Sequence, residues 1–152
     1  MPVDAGSYKQ RLIVLAKTVA QRFKLDGALV CAVCEQESNW NPWAMRYEPA
    51  FMAKYVAPLY TANKISSSEA YARAFSWGLM QVMGQVAREC GGDYLFLSAL
   101  CDPEQGLSIG CTVLAKKLDA FKGDVAKGLL AWNGGGNPSY PTQVLARKQL
   151  YL

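Results

Sequence analysis

Apolar side chains near the start of the chain recur at spacings of three and four residues, from Leu12 to Phe23, with polar side chains between them. Side chains at these spacings lie on one face of a helix, so the pattern predicts an amphipathic helix over residues 7–23. We expect its apolar face to pack against the rest of the protein.

The next apolar run, residues 27–34, has no polar face. A helix that is apolar all round is typically buried, so this segment is predicted to be a central helix with Asp26 as its N-cap. Asn39 and Pro42 are expected to end it, because the residue before a proline disfavours helical dihedrals. The last turn of the central helix therefore contains Glu37.

The rest of the chain carries further helix signals, and no run alternates cleanly enough to indicate a strand. Residues 43–62 are rich in prolines and aromatic residues, which predicts short helices or irregular structure. Further helices are predicted over residues 67–75, 79–90, 103–121, 125–131 and 142–151, with N-caps at Ser66, Asp102, Asp124 and Thr142, and with Gly91 and Gly92 ending the second of them. The predicted fold is mainly α, with little or no β-structure, in a single domain covering residues 1–152.

The chain's 152 residues are enough to bury roughly 70% of the surface of the unfolded chain. No apolar run approaches the roughly 18 residues of a membrane span, so no membrane insertion is expected. The net charge of +4 comes from scattered Lys and Arg residues, which gives little support for nucleic-acid binding and would suit an anionic polymer such as a cell wall. A monomer is expected.

Cysteine and histidine usage narrows the chemistry further. The five cysteines are odd in number, which argues against a fully paired secreted framework. Cys31 and Cys34 form a CxxC inside the apolar helix, and we interpret them as buried reduced thiols rather than a redox or metal site. The chain has no histidine, which excludes the usual mixed zinc sites, and no cofactor is expected. The first residues lack a signal-peptide pattern, so synthesis is expected to finish in the cytosol.

An acid at the end of a buried helix is placed against physical preference. The C-terminal end of the helix dipole is negative and burial disfavours charge, so both effects raise the pKa of a carboxyl group there. A carboxyl group that holds a proton near neutral pH can donate it to a leaving group, as in glycoside cleavage. Periodicity does not choose between Glu35 and Glu37, and either acid could instead pair with a Lys or Arg at the helix end.

Four ordered motifs extend this picture: "QESNWNP" from Gln36, "SWGLMQVM" from Ser76, "DPEQGLSIGCTVL" from Asp102 and "AWNGGG" from Ala131. Their order and spacing resemble the lytic transglycosylase family with the soluble-lytic-transglycosylase domain, over residues 10–151. The resemblance implies a lysozyme-like α fold with a substrate groove, and cleavage of the MurNAc–GlcNAc β-1,4 bond of a peptidoglycan glycan strand.

The resemblance also assigns roles to single residues. The family's catalytic glutamate falls on Glu37, with Ser38 supporting its geometry and placed in the substrate site. In such enzymes one carboxyl acts as acid and then as base, the C6 hydroxyl of MurNAc attacks C1, and a 1,6-anhydro sugar forms. Gln81 and Met83 match positions that line the sugar groove, and Gly78 is expected at the turn into the helix that follows.

Two departures from the family pattern are visible. Trp132 and Asn133 match the family's "AYN" motif, but Trp132 lacks the phenol hydroxyl of the family's tyrosine, which puts any step assigned to that hydroxyl in question. The stretch between Glu37 and Gly78 is longer than is typical of the family. We call residues 43–76 the insert, and it could widen the groove or cover it.

The insert also contains Glu48, which leaves the reaction open. Glu48 could activate water and make the protein a hydrolytic muramidase, or it could simply pair with Arg46 or face solvent. A domain that binds glycan without cleaving it is an alternative from another class. Within the transglycosylase interpretation, the predicted role is a phage endolysin, made in the host cytosol and acting on periplasmic peptidoglycan after release.

Overall fold

The computed structural model of the chain describes residues 4–91 and 96–152. Residues Met1 to Val3, on which the signal-peptide prediction partly depends, and Gly92, predicted to end a helix, lie outside the described residues. The helices are α1 Ala5–Arg22, α2 Gly27–Ser38, α3 Pro49–Phe51, α4 Ala57–Thr61, α5 Ser67–Arg73, α6 Gly84–Glu89, α7 Pro103–Ala120, α8 Val125–Asn133 and α9 Tyr140–Lys148. The strands are β1 Met45–Tyr47, β2 Phe75–Trp77 and β3 Val82–Met83. The prediction of a mainly α fold is confirmed.

The central helix α2 lies between α1 and α9, and its residues from Ala28 to Cys34 are all buried. It begins as predicted, because the Asp26 carboxylate accepts a hydrogen bond from the backbone N–H of Ala28. It ends one residue beyond Glu37, where Asn39 adopts a left-handed conformation with φ 49° and its N–H bonds to the Glu35 carbonyl. The helix therefore places Glu37 in its last turn.

The prediction of a helix over residues 79–90 is wrong in its first part, because residues 79–83 belong to a turn and a strand of a short sheet. The three strands are antiparallel in the order β1-β2-β3, with Met45 opposite Trp77 and Ser76 opposite Met83. Residues 78–81 form the turn between β2 and β3, so α6 begins only at Gly84. Left-handed backbone at both ends of this turn, with φ 74° at Gly78 and 52° at Gln81, is incompatible with a continuing helix.

The turn is also fixed by close packing. A Cβ at Gly78 would collide with the carbonyl oxygen of Leu100, so only glycine fits there. Met80 is fully buried and lies against Gly110 of α7, where a Cβ would likewise collide with its side chain. The turn is thus packed against Leu100 and α7.

The insert has a small core of its own, formed by the buried residues Val56, Ala70 and Ala74. Its helices α3 and α4 are joined by a π-helical turn, Met52–Val56, in agreement with the prediction of short helices, whereas β1 was not predicted. Helix α5 begins as predicted, with the Ser66 hydroxyl accepting from the backbone N–H of Glu69. An ion pair of 2.7 Å between Glu69 and Arg88 of α6 ties the insert to the body.

The C-terminal helices pack against the core through α7 and α2. Asp102 and Asp124 cap α7 and α8 as predicted, accepting from the backbone N–H groups of Gln105 and Lys127. The predicted start of the last helix at Thr142 is wrong. Helix α9 begins at Tyr140, because Pro141 is well suited to the first turn of a helix and does not interrupt it.

The cysteines are free thiols, and Cys31 and Cys34 are buried, which confirms their interpretation as core thiols. Burial raises the pKa of Cys31 to about 11 and that of Cys34 well above its ordinary value, so both remain protonated. No helix among the described residues has the length and apolar character needed to cross a bilayer.

Candidate active site

Glu37 lies in a groove of about 900 Å³. The last turn of α2 contributes Glu37, β3 contributes Met83, and the end of α8 contributes Trp132 and Asn133. The insert supplies another part of the lining, including Glu48. Gln81 also lines the groove, which therefore brings together Glu37 and five other predicted site residues.

Two side chains donate hydrogen bonds to the same carboxylate oxygen of Glu37. The Tyr140 hydroxyl lies 2.6 Å from Oε1, and the indole Nε1 of Trp132 lies 3.2 Å from it. Tyr140 is the first residue of α9 and is buried, whereas Trp132 is half-buried at the end of α8. With Oε1 held by the protein, Oε2 is the oxygen left to carry and transfer a proton.

The environment raises the pKa of Glu37, as the sequence predicted. Burial of the carboxyl group is the main cause, and the hydrogen bonds from Tyr140 and Trp132 offset it only in part. Burial also raises the pKa of Tyr140, as does the neighbouring charge of Glu37, so its hydroxyl stays protonated and acts as a donor. The site thus favours a protonated carboxyl group while supplying donors for its ionised form.

The structure gives Glu37 and Glu35 different environments, whereas periodicity alone does not choose between them. Glu35 forms an ion pair of 2.8 Å with Arg147 and accepts a hydrogen bond from the Tyr151 hydroxyl at 2.8 Å. Burial pulls its pKa upward, but these bonds outweigh burial and hold the pKa below its ordinary value. Glu35 is therefore an ionised carboxylate that ties α2 to the C-terminal segment, and the groove lining does not include it.

Ser38 is predicted from the sequence to lie beside the substrate, but it is not part of the groove lining. Its hydroxyl is 2.8 Å from the carbonyl oxygen of Leu79 and 3.0 Å from that of Cys34, so its single proton is shared between two backbone acceptors. The bond to Leu79 links the last turn of α2 to the turn between β2 and β3. This geometry fits the supporting role predicted for Ser38 better than contact with a sugar.

Gln81 lines the groove, but its amide is already bonded within the protein. Its Nε2 donates to the carbonyl oxygens of Ala44 at 3.0 Å and Gly78 at 2.9 Å. Its Oε1 accepts from the buried hydroxyl of Ser76 at 2.8 Å. Gln81 therefore connects β2, the turn between β2 and β3, and the residue before β1, so its side chain shapes the groove wall.

Met83 and Asn133 lie on other parts of the groove wall. Met83 is half-buried and leaves part of its thioether side chain exposed to the groove. Asn133 is the last residue of α8, and its Oδ1 accepts from the backbone N–H of Asn137 at 2.9 Å. This bond uses the amide oxygen of Asn133 and not its Nδ2 group.

Sequence reasoning missed Tyr140. Because Trp132 replaces the tyrosine of the family motif, the sequence puts any step assigned to that hydroxyl in question, yet Tyr140 brings a phenol hydroxyl to Glu37 from another helix. Tyr140 stands before the predicted helix start at Thr142 and lies outside every predicted helix. Pro141, which is well suited to the first turn of a helix, is the sequence signal that could have placed Tyr140 at the start of α9.

Glu48 lies on the insert side of the groove and forms an ion pair with Arg46, 3.1 Å from Nε to Oε1. This is the pairing considered from the sequence as the alternative to catalysis. Among the described residues, no group of three or more Cys, Asp or Glu is arranged to hold a metal ion.

Comparison with known proteins agrees with the geometry. The family model described as Transglycosylase SLT domain matches residues 15–148, a range that includes Glu37, Gln81, Trp132 and Tyr140. A search of solved structures found none that matches the chain.

Proposed function

Because the chain belongs to the Transglycosylase SLT domain family and is thus a peptidoglycan lytic transglycosylase, we propose that it cleaves the MurNAc–GlcNAc β-1,4 bond with Glu37 as its acid and base. The observation that carries this assignment is a carboxyl group that lies in the groove with a raised pKa and two hydrogen-bond donors on one oxygen. No other carboxyl group among the described residues that line the groove has this combination.

The reaction proceeds in two steps on one carboxyl group. Protonated Glu37 gives its proton to the glycosidic oxygen as the bond from C1 of MurNAc to that oxygen breaks, and the GlcNAc side leaves with a free 4-hydroxyl. The N-acetyl group of MurNAc stabilises the cationic C1. The Glu37 carboxylate then takes the proton of the C6 hydroxyl as O6 bonds to C1. The product is a 1,6-anhydro sugar, Glu37 is protonated again, and no water is consumed.

Tyr140 and Trp132 act between these two steps. The carboxylate of Glu37 exists only after it has donated its proton, and it must persist until O6 attacks. Hydrogen bonds to an ionised acceptor are stronger than those to a neutral one, so both donors stabilise the intermediate more than the starting state. The family motif has a tyrosine hydroxyl at the position of Trp132. In this chain the hydroxyl of Tyr140 supplies that donor instead.

The other groove residues have supporting roles in this proposal. Met83 and the ring of Trp132 offer apolar surface to sugar faces, and Asn133 offers its amide N–H groups to acetamido or hydroxyl oxygens. Gln81 and Ser38 hold the wall and the helix end that present Glu37. One set of residues therefore binds the glycan strand, and another set positions the acid.

Product analysis tests the proposed function. Purified peptidoglycan digested with the protein should release muropeptides that are lighter by one water than hydrolytic products and lack a reducing end, as measured by mass spectrometry. Glu37→Gln should lower the rate at least about 10²-fold, the contribution of general acid–base catalysis. Glu35→Gln is the matched control and should retain most of the activity. Full activity of Glu37→Gln would remove Glu37 from the mechanism.

A hydrolytic muramidase is the second candidate, since Glu48 lines the same groove as Glu37 and could activate a water molecule. Reducing ends in the digest would favour it. A glycan-binding domain without catalysis is the third, and it predicts no loss of turbidity when the protein is added to permeabilised cells.

The endolysin role stays a prediction about biological context. An endolysin expressed in the cytosol should leave cells intact until their membrane is permeabilised, and should then lyse them rapidly. The Glu37→Gln variant is the control, because it should leave the same cells intact after permeabilisation. Absence of lysis by the unmodified protein under these conditions would contradict the role.

A further inference from the structure

The groove lining combines three glutamates, among them Glu48 and Glu89, with three cations. The cations are Arg46, Lys54 and Lys117, and Arg46 is already paired with Glu48. Lys54 and Lys117 are both exposed. In the described part of the chain neither forms an ion pair, although six other Lys and Arg residues do. Two ammonium groups in the groove are thus available to a ligand.

The insert presents Lys54 through an unusual backbone. Lys54 and Tyr55 belong to the π-helical turn Met52–Val56, whose last residue is buried in the insert core. Phe51, Lys54 and Tyr55 all line the groove. The ammonium group lies 5.0 Å from the centre of the Tyr55 ring, and the rings of Phe51 and Tyr55 are 4.9 Å apart. Single π-helical turns within helices frequently occur at functional sites, and this one places a cation over the Tyr55 ring.

The second lysine comes from the body of the protein. Lys117 lies in the last turn of α7, and Val113, one turn earlier on the same face, lines the groove with it. The negative end of the helix dipole favours a cation in that turn. Lys117 lines the groove from α7, and Lys54 lines it from the insert.

The chemistry of peptidoglycan identifies an anion for these lysines. The sugar rings carry hydroxyl and acetamido groups, and the lactyl group of MurNAc is an amide wherever a peptide stem is attached. The carboxylates of an intact strand are therefore on its peptide stems. We propose that Lys54 and Lys117 bind stem-peptide carboxylates, so that the groove selects peptide-bearing strands over bare glycan; this rests on the proposed function of the groove.

Binding measured without turnover tests this selection. Titrations would use the protein with Glu37→Gln, and three tetrasaccharides: one with peptide stems, one with the stems removed so that lactyl carboxylates are free, and a neutral chitotetraose. Each would be repeated after adding Lys54→Gln and Lys117→Gln together. Lys64→Gln and Lys127→Gln together are the matched control, since these lysines do not line the groove.

Loss of both lysines should weaken binding of the peptide-bearing ligand by about three- to thirtyfold, the range for two exposed ion pairs, and should leave chitotetraose unchanged. The effect should shrink at high salt. An equal loss for the stem-free ligand would assign the lysines to lactyl carboxylates, and an unchanged affinity for peptide-bearing strands would remove them from recognition; either overturns the proposal. Failure of all three ligands to bind would instead overturn the proposed function.

Discussion

The hydroxyl of Tyr140, the first residue of α9, lies 2.6 Å from Oε1 of Glu37 in the last turn of α2. These residues are far apart in the sequence, and the packing of α9 against α2 brings them together. A phenol that donates to a partly buried carboxyl group opposes the effect of burial on its pKa. The contact therefore adjusts how readily Glu37 gives up its proton and how stable its carboxylate is.

Tyr140→Phe should shift the pH dependence of the reaction. The hydrogen bond from Tyr140 lowers the pKa of Glu37, which burial raises, so its removal should raise that pKa further. Glu37 starts the reaction protonated, so the basic limb of the kcat/KM profile should move to higher pH. The maximal rate should fall about 10- to 100-fold, because a hydrogen bond to a charged group contributes about 1.5–3 kcal/mol.

Tyr60→Phe is the control for that variant, since Tyr60 is an exposed residue of the insert that does not line the groove. Its profile should match that of the unmodified protein. A Tyr140→Phe profile whose basic limb stays in place, or moves to lower pH, would contradict the role of this contact.

Glu37→Gln should stabilise the fold at neutral pH. The pKa of Glu37 is raised above its ordinary value of 4.5, so folding favours its protonated form, and the stability it contributes is lost as the pH rises from 4.5 through the folded-state pKa. Gln stays neutral. The Tm advantage of the variant should therefore grow between pH 4 and pH 7, by about 2–4 °C for each 1 kcal/mol.

Glu35→Gln provides a control of opposite sign. The pKa of Glu35 is held below 4.5, so its stabilising contribution is present above that pH and lost as the pH falls through the folded-state value. This variant should be less stable at pH 7 and should approach the unmodified protein as the pH falls through the folded-state pKa of Glu35. Parallel behaviour of the two variants would contradict the different environments of the two acids.

Gln81→Ala should reduce stability as well as activity. Its amide makes three hydrogen bonds, which join Ala44 before β1, β2 and the turn between β2 and β3, and each hydrogen bond within a protein contributes about 0.5–1.5 kcal/mol. Thermal unfolding should show a lower Tm. Gln21→Ala is the control, because Gln21 is an exposed residue of α1. An increase in KM with an unchanged Tm would indicate instead that Gln81 serves the substrate alone.

Glu48→Gln should leave the product unchanged. Glu48 is paired with Arg46 at the exposed side of the groove, and the proposed mechanism needs no second carboxyl group. An exposed pair contributes about 0–1 kcal/mol, so the rate should change only a few-fold. Mass spectrometry should still show anhydro ends. Loss of activity, or a change in the ratio of anhydro to reducing ends, would make Glu48 part of the chemistry.

The turn between β2 and β3 is a part of the fold that the sequence did not predict. The "GLMQ" stretch matches the family motif, and residues 79–90 are predicted from the sequence to form one helix that ends at Gly91 and Gly92. Left-handed backbone at Gly78 and Gln81 and contacts with Leu100 and α7 decide otherwise. Such contacts join residues distant in sequence, and local periodicity does not report them.

The sequence by itself determined the main helices and their caps, since apolar spacing and the side chains of Asp26, Ser66, Asp102 and Asp124 act locally. It also determined that an acid ends the central helix and that this acid should have a raised pKa. Only the tertiary structure decided which of two acids faces the groove, by pairing Glu35 with Arg147 and leaving Glu37 to Tyr140 and Trp132. The reason is physical: the charge state of a carboxyl group depends on burial and on its partners, and α8, α9 and the C-terminal segment supply those partners by packing.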